Sequence, residues 1–244
     1  YAPLVPIATP LVKWATEITR LEDMPRIIRR AAKVAMTPPT GPVFLSLPGD
    51  VLNGEAAVDI GHRTRVDTAS RPSDATLDAL ARRILAADRP AIISGDELVS
   101  SDALAEVAEL AETIGAPAYQ QTVTWGAHFP SEHRAYMGAL TRNQAEVRET
   151  LGTYDLIIVV GADPLRMSVW SEVEPLPTDL PIVQIGLKDW EMGKNYPTEM
   201  AVRSDVRETL RVLVPALAAR GGPELAARAE ARLAAIAEHN WSAK

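Results

Sequence analysis

The hydrophobic positions of the chain follow two different periods. From Ser73 onwards, short apolar runs alternate with longer segments in which apolar residues recur every three or four positions. The short runs predict buried strands and the longer segments predict amphipathic helices. The predicted strands, in chain order, are PAIIS (90–94), APAYQQ (116–121), DLIIVV (155–160), PIVQIG (181–186) and EMAVRSD (199–205). Strands separated by helices are typical of βαβ units, so we predict a doubly wound, mostly parallel Rossmann-like α/β sheet of about five strands.

The predicted helices of this domain carry recognisable end signals. Gly115 follows an apolar helical stripe and Pro117 prevents the helix from continuing, so Gly115 is expected to be a left-handed C-cap. We expect Ser101 to cap the start of the same helix. Asp205 followed by Glu208 matches a capping box, and this pair predicts the start of a further helix.

A different segment precedes this domain. Asp23 is predicted to cap a helix with Pro25 in its first turn, and PVFLSLP is a predicted strand with apolar residues on both faces. The predicted organisation is 1–53 as the C-terminal part of another α/β domain, 54–73 as a polar linker, 74–220 as the central Rossmann-like domain, and 221–244 as a helical connection with an alanine-rich helix over 223–240. Because the chain begins with Tyr1 and its first residues resemble sequence from within a protein, we expect a piece of a longer chain.

Charge and cysteine content exclude several classes of protein. The formal net charge is −7 and there is no cysteine. A negative chain is unsuited to nucleic acid or to an anionic membrane surface, because both attract basic proteins. The lack of cysteine excludes a disulfide scaffold, a thiolate metal site and a cysteine nucleophile. No apolar run approaches the roughly 20 residues of a transmembrane helix, and no signal peptide is recognisable. We therefore expect a cytoplasmic protein.

The predicted strand ends raise the question of a nucleotide site. In doubly wound sheets, ligands bind beyond the carboxyl ends of the strands. A dinucleotide site needs a cluster of glycines, but only Gly95 follows the strand over 90–94, and only Gly161 follows the strand over 155–160. We interpret both glycines as residues that permit tight turns. Arg166 could clamp a phosphate or a carboxylate, although a surface ion pair is the favoured interpretation.

Metal-ligand and triad patterns are absent from the sequence. The four histidines are His62, His128, His133 and His239, and none belongs to an H-E-x-x-H motif. His128 and His133 share a loop with Glu132, but their spacing matches no established metal motif, so we predict no metal site in this chain. There is no G-x-S-x-G elbow for a serine nucleophile.

Several motifs are specific to one enzyme family. The segment LVKWATEITRLEDMPRIIRRAAKVAMTPPTGPVFLSLPGDV (11–51) resembles the end of the pyrimidine-binding domain of thiamine-diphosphate-dependent enzymes related to acetolactate synthase and pyruvate-type decarboxylases. The segments RPAIISGDELVSSDALAEVAELAETIGAPAYQQ (89–121), FPSEHRAYMGAL (129–140) and DLIIVVGA (155–162) are similar to the central domain of the same family. Phe129, Pro130, His133 and Gly138, together with VVGADPLR, are most similar to the benzoylformate decarboxylase branch.

The resemblance implies cofactors that these residues do not bind. Family members hold thiamine diphosphate and Mg²⁺ through a G-D-G motif in a third domain. Here Gly-Asp occurs at 49–50 and 95–96, followed by Val51 and Glu97, so neither pair is that motif. The activating glutamate of the family lies early in the first domain, before Tyr1. Acetolactate synthases also bind FAD through a glycine cluster in the central domain. Because Gly95 stands alone at that place, the resemblance implies that FAD is absent.

His133 is the residue to which the resemblance assigns a role. In benzoylformate decarboxylases the histidine at this place reaches the active site from the central domain and takes part in proton transfer. An imidazole is suited to such a step near neutral pH. A histidine that only packs within the loop is the alternative for His133.

We interpret the chain as part of a thiamine-diphosphate-dependent 2-oxo-acid decarboxylase or lyase that is inactive as a fragment and forms a homodimer or homotetramer when complete. One alternative is an acetolactate synthase-type carboligase with FAD. The other is a non-catalytic nucleotide-binding or structural Rossmann-like module. A yellow protein would favour the synthase, and a reading frame without a G-D-G domain would favour the module.

Overall fold

A computed structural model describes residues 2–62, 66–167 and 170–243. The chain divides into two compact units, with the boundary between Asp67 and Thr68. The predicted boundaries at 53 and 73, and the roles assigned to the segments between them, stay predictions. Within the described residues, no helix is long and apolar enough to cross a membrane.

The first unit is built around two parallel strands. Its elements are α1 (Leu4–Ala8), β1 (Trp14–Glu17), α2 (Met24–Met36), β2 (Val43–Ser46) and α3 (Gly49–Leu52), with 3₁₀ turns at Thr9–Leu11 and Leu21–Asp23. Strands β1 and β2 pair in parallel, with Trp14 opposite Val43. The predicted helix and the predicted strand are thus confirmed, and β1 is an additional strand.

Asp23 does not cap α2, so this expectation is wrong. Its backbone already has helical dihedral angles (φ −83°, ψ −14°), whereas a capping side chain needs an extended residue. The Asp23 carboxylate instead accepts a hydrogen bond from the Arg26 side chain, at 2.8 Å.

The second unit contains a six-stranded parallel sheet, which confirms the doubly wound α/β fold. Its elements are α4 (Asp74–Leu85), β3 (Pro90–Ser94), α5 (Glu97–Ser100), α6 (Leu104–Ile114), β4 (Ala118–Gln120), β5 (Tyr136–Ala139), α7 (Gln144–Leu151), β6 (Leu156–Val160), β7 (Ile182–Gly186), β8 (Met200–Arg203) and α8 (Val206–Ala237), with 3₁₀ turns at Asp189–Glu191 and Trp241–Ala243. The strand order is β5-β4-β3-β6-β7-β8. The chain therefore reverses direction across the sheet between β3 and β6.

The expectation of about five strands missed β5, which follows the loop that contains His128 and His133. This edge strand has only four residues, YMGA, and one of them is Gly138 with φ +99°. Its pairing with β4 is interrupted by a register shift between Ala118 and Tyr119. A short strand with a glycine and no apolar alternation has no pattern by which the sequence could mark it.

The two central strands are buried on both faces. Alternate residues of β6 enter different cores: Leu156 and Ile158 contact the core beneath α4, α6 and α8, and Ile157 and Val159 contact the core beneath α7. All five residues of β3 and all five of β6 are buried. Burial on both faces explains why these strands appear in the sequence as continuous apolar runs.

The structure confirms two helix caps and corrects a third. Gly115 has left-handed dihedral angles (φ 63°, ψ 46°) at the end of α6. The Asp205 carboxylate accepts a hydrogen bond from the Glu208 N–H at 3.0 Å. Ser101 does not begin α6, because the short helix α5 ends there and α6 starts three residues later, after Ala103. The Ser101 hydroxyl donates to the Asp205 carboxylate instead, at 3.2 Å.

Helix α8 bends, and the part that follows the bend packs against the rest of the second unit. The bend is at Gly222 (φ 56°, ψ −155°). Beyond the bend, Leu225, Ala229 and Leu233 are buried. Arg232 donates a hydrogen bond to the carbonyl of Ile114, at 2.9 Å. The assignment of 221–244 to a connecting segment stays a prediction, but much of that segment contributes to the core.

Gly115→Ala should lower the free energy of unfolding by about 2–4 kcal/mol. A Cβ at Gly115 would lie 2.5 Å from the Cα of Ala229, and the left-handed backbone disfavours alanine as well. Gly126→Ala is the control, because its Cβ would meet no atom within 4 Å, and its effect should stay within about 0.5 kcal/mol. Urea unfolding followed by circular dichroism measures both changes. Equal midpoints for the two variants would contradict this packing.

Candidate functional site

The carboxyl edge of the sheet is closed where β3 and β6 end. In doubly wound folds a ligand crevice opens at this point, between the two strands where the chain reverses direction. Here a Cβ on Gly95 would lie 2.4 Å from both the Gly161 carbonyl oxygen and the Cα of Ala162. Gly161 itself has φ +59°. The two glycines therefore serve a close contact between two backbone turns, and that contact occupies the space between the strands.

Backbone N–H groups at this edge are already bound within the protein. The Gly95 N–H donates to Val160 and the Glu97 N–H donates to Gly161, both at 3.1 Å. The Glu97 side chain is buried and its carboxylate accepts a hydrogen bond from the Leu187 N–H, at 2.7 Å. Burial raises the pKa of Glu97 even though this bond and the nearby Lys188 favour the ionised form. An anionic ligand at this edge would need free N–H donors. The Leu187 N–H is instead bound to the carboxyl group of Glu97.

Arg166 lies beyond β6, in the wall of an open cavity of about 540 Å³. Its side chain pairs with the Asp163 carboxylate, and this hydrogen bond raises the pKa of the guanidinium. Its backbone N–H donates to the Thr122 hydroxyl at 2.8 Å. The other charged residues of the cavity wall are Glu174, Glu191 and Lys194. Arg166 is therefore neutralised by its own loop, as the surface ion pair interpretation predicted, and among the described lining residues carboxylates outnumber cations.

His128 also lies at this edge, and sequence reasoning did not single it out as a functional residue. Its backbone N–H donates to the Gln120 side chain at the end of β4, at 2.6 Å. The residue is 1% exposed, and its Nδ1 is buried without a hydrogen-bond partner. Burial lowers the pKa of His128, which favours a neutral ring. A histidine in an irregular loop has no periodic signal, so only the tertiary structure identifies it as buried.

His133 lies at the opposite, amino edge of the sheet. Strands β4 and β5 are parallel, so the segment between them runs from the carboxyl edge of the sheet back to the amino edge. The residues just before Tyr136 are therefore at the amino ends of the strands. His133 contacts Glu112 in the last turn of α6, which is at the same edge. The structure therefore separates His133 from Gly95, Gly161 and Arg166.

Both ring nitrogens of His133 have partners. Nε2 lies 3.1 Å from Oε1 of Glu112, and Nδ1 accepts a hydrogen bond from the Ala135 N–H, also at 3.1 Å. The ring packs edge-to-face on Phe129, with centroids 5.4 Å apart. Burial lowers the pKa of His133, while Glu112 opposes and Arg134 reinforces this shift. The lowered pKa favours a neutral imidazole, and the contacts with Ala135, Glu112 and Phe129 hold the ring in one orientation.

A metal or a thiamine diphosphate site is not supported by these side chains. Among residues 2–62, 66–167 and 170–243, no group of three or more His, Cys, Asp or Glu could hold a metal ion. His128 and His133 lie at opposite edges of the sheet and cannot share a ligand. The cationic side chains at the carboxyl edge, Arg166 and Lys188, are paired with Asp163 and Asp96. The described residues therefore do not fit a diphosphate with its metal.

His128→Phe should weaken the acid sensitivity of the second unit. Because the folded-state pKa is lowered, the unfolded chain binds more protons, so this histidine destabilises the fold as the pH falls below its ordinary value of 6.5. The wild-type chain should lose free energy of unfolding between pH 6.5 and pH 5. Over the same range the variant should lose less, by at most about 2 kcal/mol. Urea unfolding at both pH values provides the measurement. His239→Phe, at an exposed position, is the control, and the same recovery in both variants would refute the explanation.

The chain is similar to known proteins over most of its length. Residues 77–213 match the family described as "Thiamine pyrophosphate enzyme, central domain". Benzoylformate decarboxylase of Pseudomonas aeruginosa is 30% identical over 233 residues, which cover 88% of this chain and 44% of that protein. A probable acetolactate synthase large subunit of Methanocaldococcus jannaschii is 28% identical, with 86% of this chain and 36% of that protein covered.

Solved structures agree with this comparison. A putative thiamin diphosphate-dependent enzyme of Mycobacterium smegmatis superposes with a TM-score of 0.76 and 32% identity, over 87% of this chain and 41% of that one. The chain therefore spans less than half the length of the relatives that it matches.

Proposed function

Because the chain belongs to the thiamine pyrophosphate enzyme family, through the central domain that matches residues 77–213, we propose that it supplies the central domain of a thiamine-diphosphate-dependent 2-oxo-acid decarboxylase. The observation that carries this proposal is the 30% identity to benzoylformate decarboxylase, which extends over 88% of the chain and so includes both compact units. Membership in an enzyme family disfavours the alternative of a non-catalytic module.

The second candidate, an acetolactate synthase-type carboligase, is supported by the similar acetolactate synthases. The carboxyl edge of the sheet favours the decarboxylase over this candidate. A dinucleotide needs a glycine-lined approach to backbone N–H groups. Gly95 has no such space because Ala162 lies against it, and the carboxyl group of Glu97 is bound to the Leu187 N–H. We therefore propose that the central domain functions without FAD.

In the complete enzyme, thiamine diphosphate would supply the electron sink for the carbanion that decarboxylation leaves. We propose that this chain contributes a rigid sheet and the side chains presented at the sheet edges. We propose that His133 is one of these and that it transfers a proton during the reaction. The imidazole accepts one hydrogen bond from the Ala135 N–H and lies 3.1 Å from the Glu112 carboxylate, so its orientation is defined.

The remaining expectations about the whole enzyme are also proposals. We propose that it uses Mg²⁺ with the diphosphate, acts in the cytoplasm and forms a homodimer or homotetramer. The chain lacks cysteine and carries a net charge of −7, which suits a reducing compartment and a protein that binds neither nucleic acid nor membrane.

The enzyme that contains this chain should release CO₂ from a 2-oxo acid only when thiamine diphosphate and Mg²⁺ are present, whereas the 244-residue chain alone should release none. The reason is that the described residues of this chain do not fit the diphosphate and its metal. The assay measures CO₂ from benzoylformate, 2-ketoarginine and pyruvate, with and without cofactor. Calorimetry of the isolated chain should detect no binding of the cofactor. Micromolar binding by the chain, or acetolactate as the main product of the enzyme, would refute the proposal.

Protein purified from cells grown with ample riboflavin should be colourless. Denaturation should release no flavin, because Gly95 stands alone where a dinucleotide site needs a glycine cluster, and Ala162 lies against it. The visible spectrum of the denatured supernatant gives the flavin content per chain, and the M. jannaschii-type acetolactate synthase is the comparison sample. One flavin per chain would support the carboligase instead.

A further inference from the structure

The Glu97 side chain lies against the ends of β6 and β7, where its carboxylate is bound in the way that a ligand would be. The residue is 6% exposed and belongs to the short helix α5. We propose that Glu97 is an internal ligand, which fills an anion-binding site at the end of β7. The site is suited to a small carboxylate, so an external carboxylate should bind when that of Glu97 is removed. This site does not depend on the proposed activity and can be tested on the chain alone.

The donors of the site are backbone N–H groups just beyond β7. The Leu187 N–H donates to Oε2 of Glu97 at 2.7 Å. Leu187 follows Gly186, the last residue of the strand, so this N–H lies outside the strand itself. A backbone hydrogen bond from Lys188 also favours the ionised form of Glu97. Successive backbone N–H groups that point at one acceptor are an arrangement by which proteins bind anions.

Two glycines provide the space for this side chain. A Cβ on Gly161 would lie 2.7 Å from the Cβ of Glu97, and a Cβ on Gly186 would lie 2.9 Å from its Oε2. Gly161 has a positive φ of 59°, so its backbone favours glycine for a second reason. The backbone of Gly186 has no positive φ, so the contact with the carboxylate accounts for a glycine at that position. The end of β7 is therefore shaped around a carboxylate.

The charges near the carboxylate oppose one another. Lys188 favours the ionised form of Glu97 and Asp96 disfavours it. These two side chains pair with each other at 2.8 Å. The site therefore holds its anion through backbone donors and shape rather than through an excess of positive charge. Because each further buried charge is costly without a partner, a carboxylate with one charge fits this site better than a phosphate with two.

Glu97→Ala removes a CH₂–COO⁻ group, which has the size and charge of acetate. The variant of the 244-residue chain should bind acetate in the space that the side chain leaves. We expect a dissociation constant of roughly 10 mM, which is well within the limit for a ligand of four heavy atoms. Sodium acetate at 100 mM should then raise the folding equilibrium constant of the variant about 10-fold, whereas sodium chloride at the same concentration should not. Urea unfolding at pH 7.5, followed by circular dichroism, measures both effects.

Two variants are matched controls. Glu97→Gln removes the charge but keeps the site filled, because the amide oxygen can accept from the Leu187 N–H, so acetate should act no more strongly than chloride. Glu109→Ala removes a carboxylate from an exposed position on α6 and should respond in the same way as Glu97→Gln.

Hydrogen exchange measured by NMR reports on the donor itself. The Leu187 amide should exchange slowly in the wild-type chain, roughly 10-fold faster in Glu97→Ala, and slowly again when acetate is added. Gly186→Ala tests the same site with Glu97 in place and serves if Glu97→Ala does not fold in acetate. Its Cβ should displace the carboxylate, so the Leu187 amide should again exchange roughly 10-fold faster than in the wild-type chain.

Four results would overturn the proposal. The first is rapid exchange of the Leu187 amide in the wild-type chain, which needs no variant. The second is an effect of acetate on Glu97→Ala no larger than that of chloride. The third is an equal effect of acetate on Glu97→Gln, because acetate would then bind elsewhere. The fourth is unchanged exchange of the Leu187 amide in Gly186→Ala.

Discussion

The structure of the second unit depends on the pairing of β3 with β6, the two strands between which the chain reverses direction. Both strands are buried along their whole length, and they pair in parallel from Pro90–Leu156 to Ser94–Val160. Cores lie on both faces of this pair, so neither strand can shift its register without exposing apolar side chains. At its carboxyl end the pair terminates in two turns whose backbones are in contact at Gly95 and Ala162.

This contact decides what the carboxyl edge can do. A doubly wound sheet normally opens a ligand crevice at the strand pair where the chain reverses. Here the two turns and the buried carboxyl group of Glu97 fill that place, and Arg166 is paired with Asp163. A filled crevice is the physical basis for the proposal that the central domain functions without FAD.

The amino edge of the sheet carries a network of charged side chains. There His133, Glu112, Arg134 and Glu230 form one network that joins three elements of the second unit. Exposed ion pairs contribute little to stability, but this network holds a partly buried imidazole in one orientation. This polar network around a candidate catalytic residue is therefore remote from the edge where the fold alone would place a ligand.

The sequence by itself determined the fold class, five of the six strands of the second unit, and the caps at Gly115 and Asp205, because local periodicity and turn chemistry decide these features. The motifs around Pro48 and His133 were also sufficient to identify the family. Only the tertiary structure showed β5, the buried ring of His128, and the position of His133 at the amino edge beside Glu112. The segment between β4 and β5 returns to the amino edge without forming a helix, so its sequence has no periodicity. Packing between distant parts of the chain sets its path and the partners of its side chains.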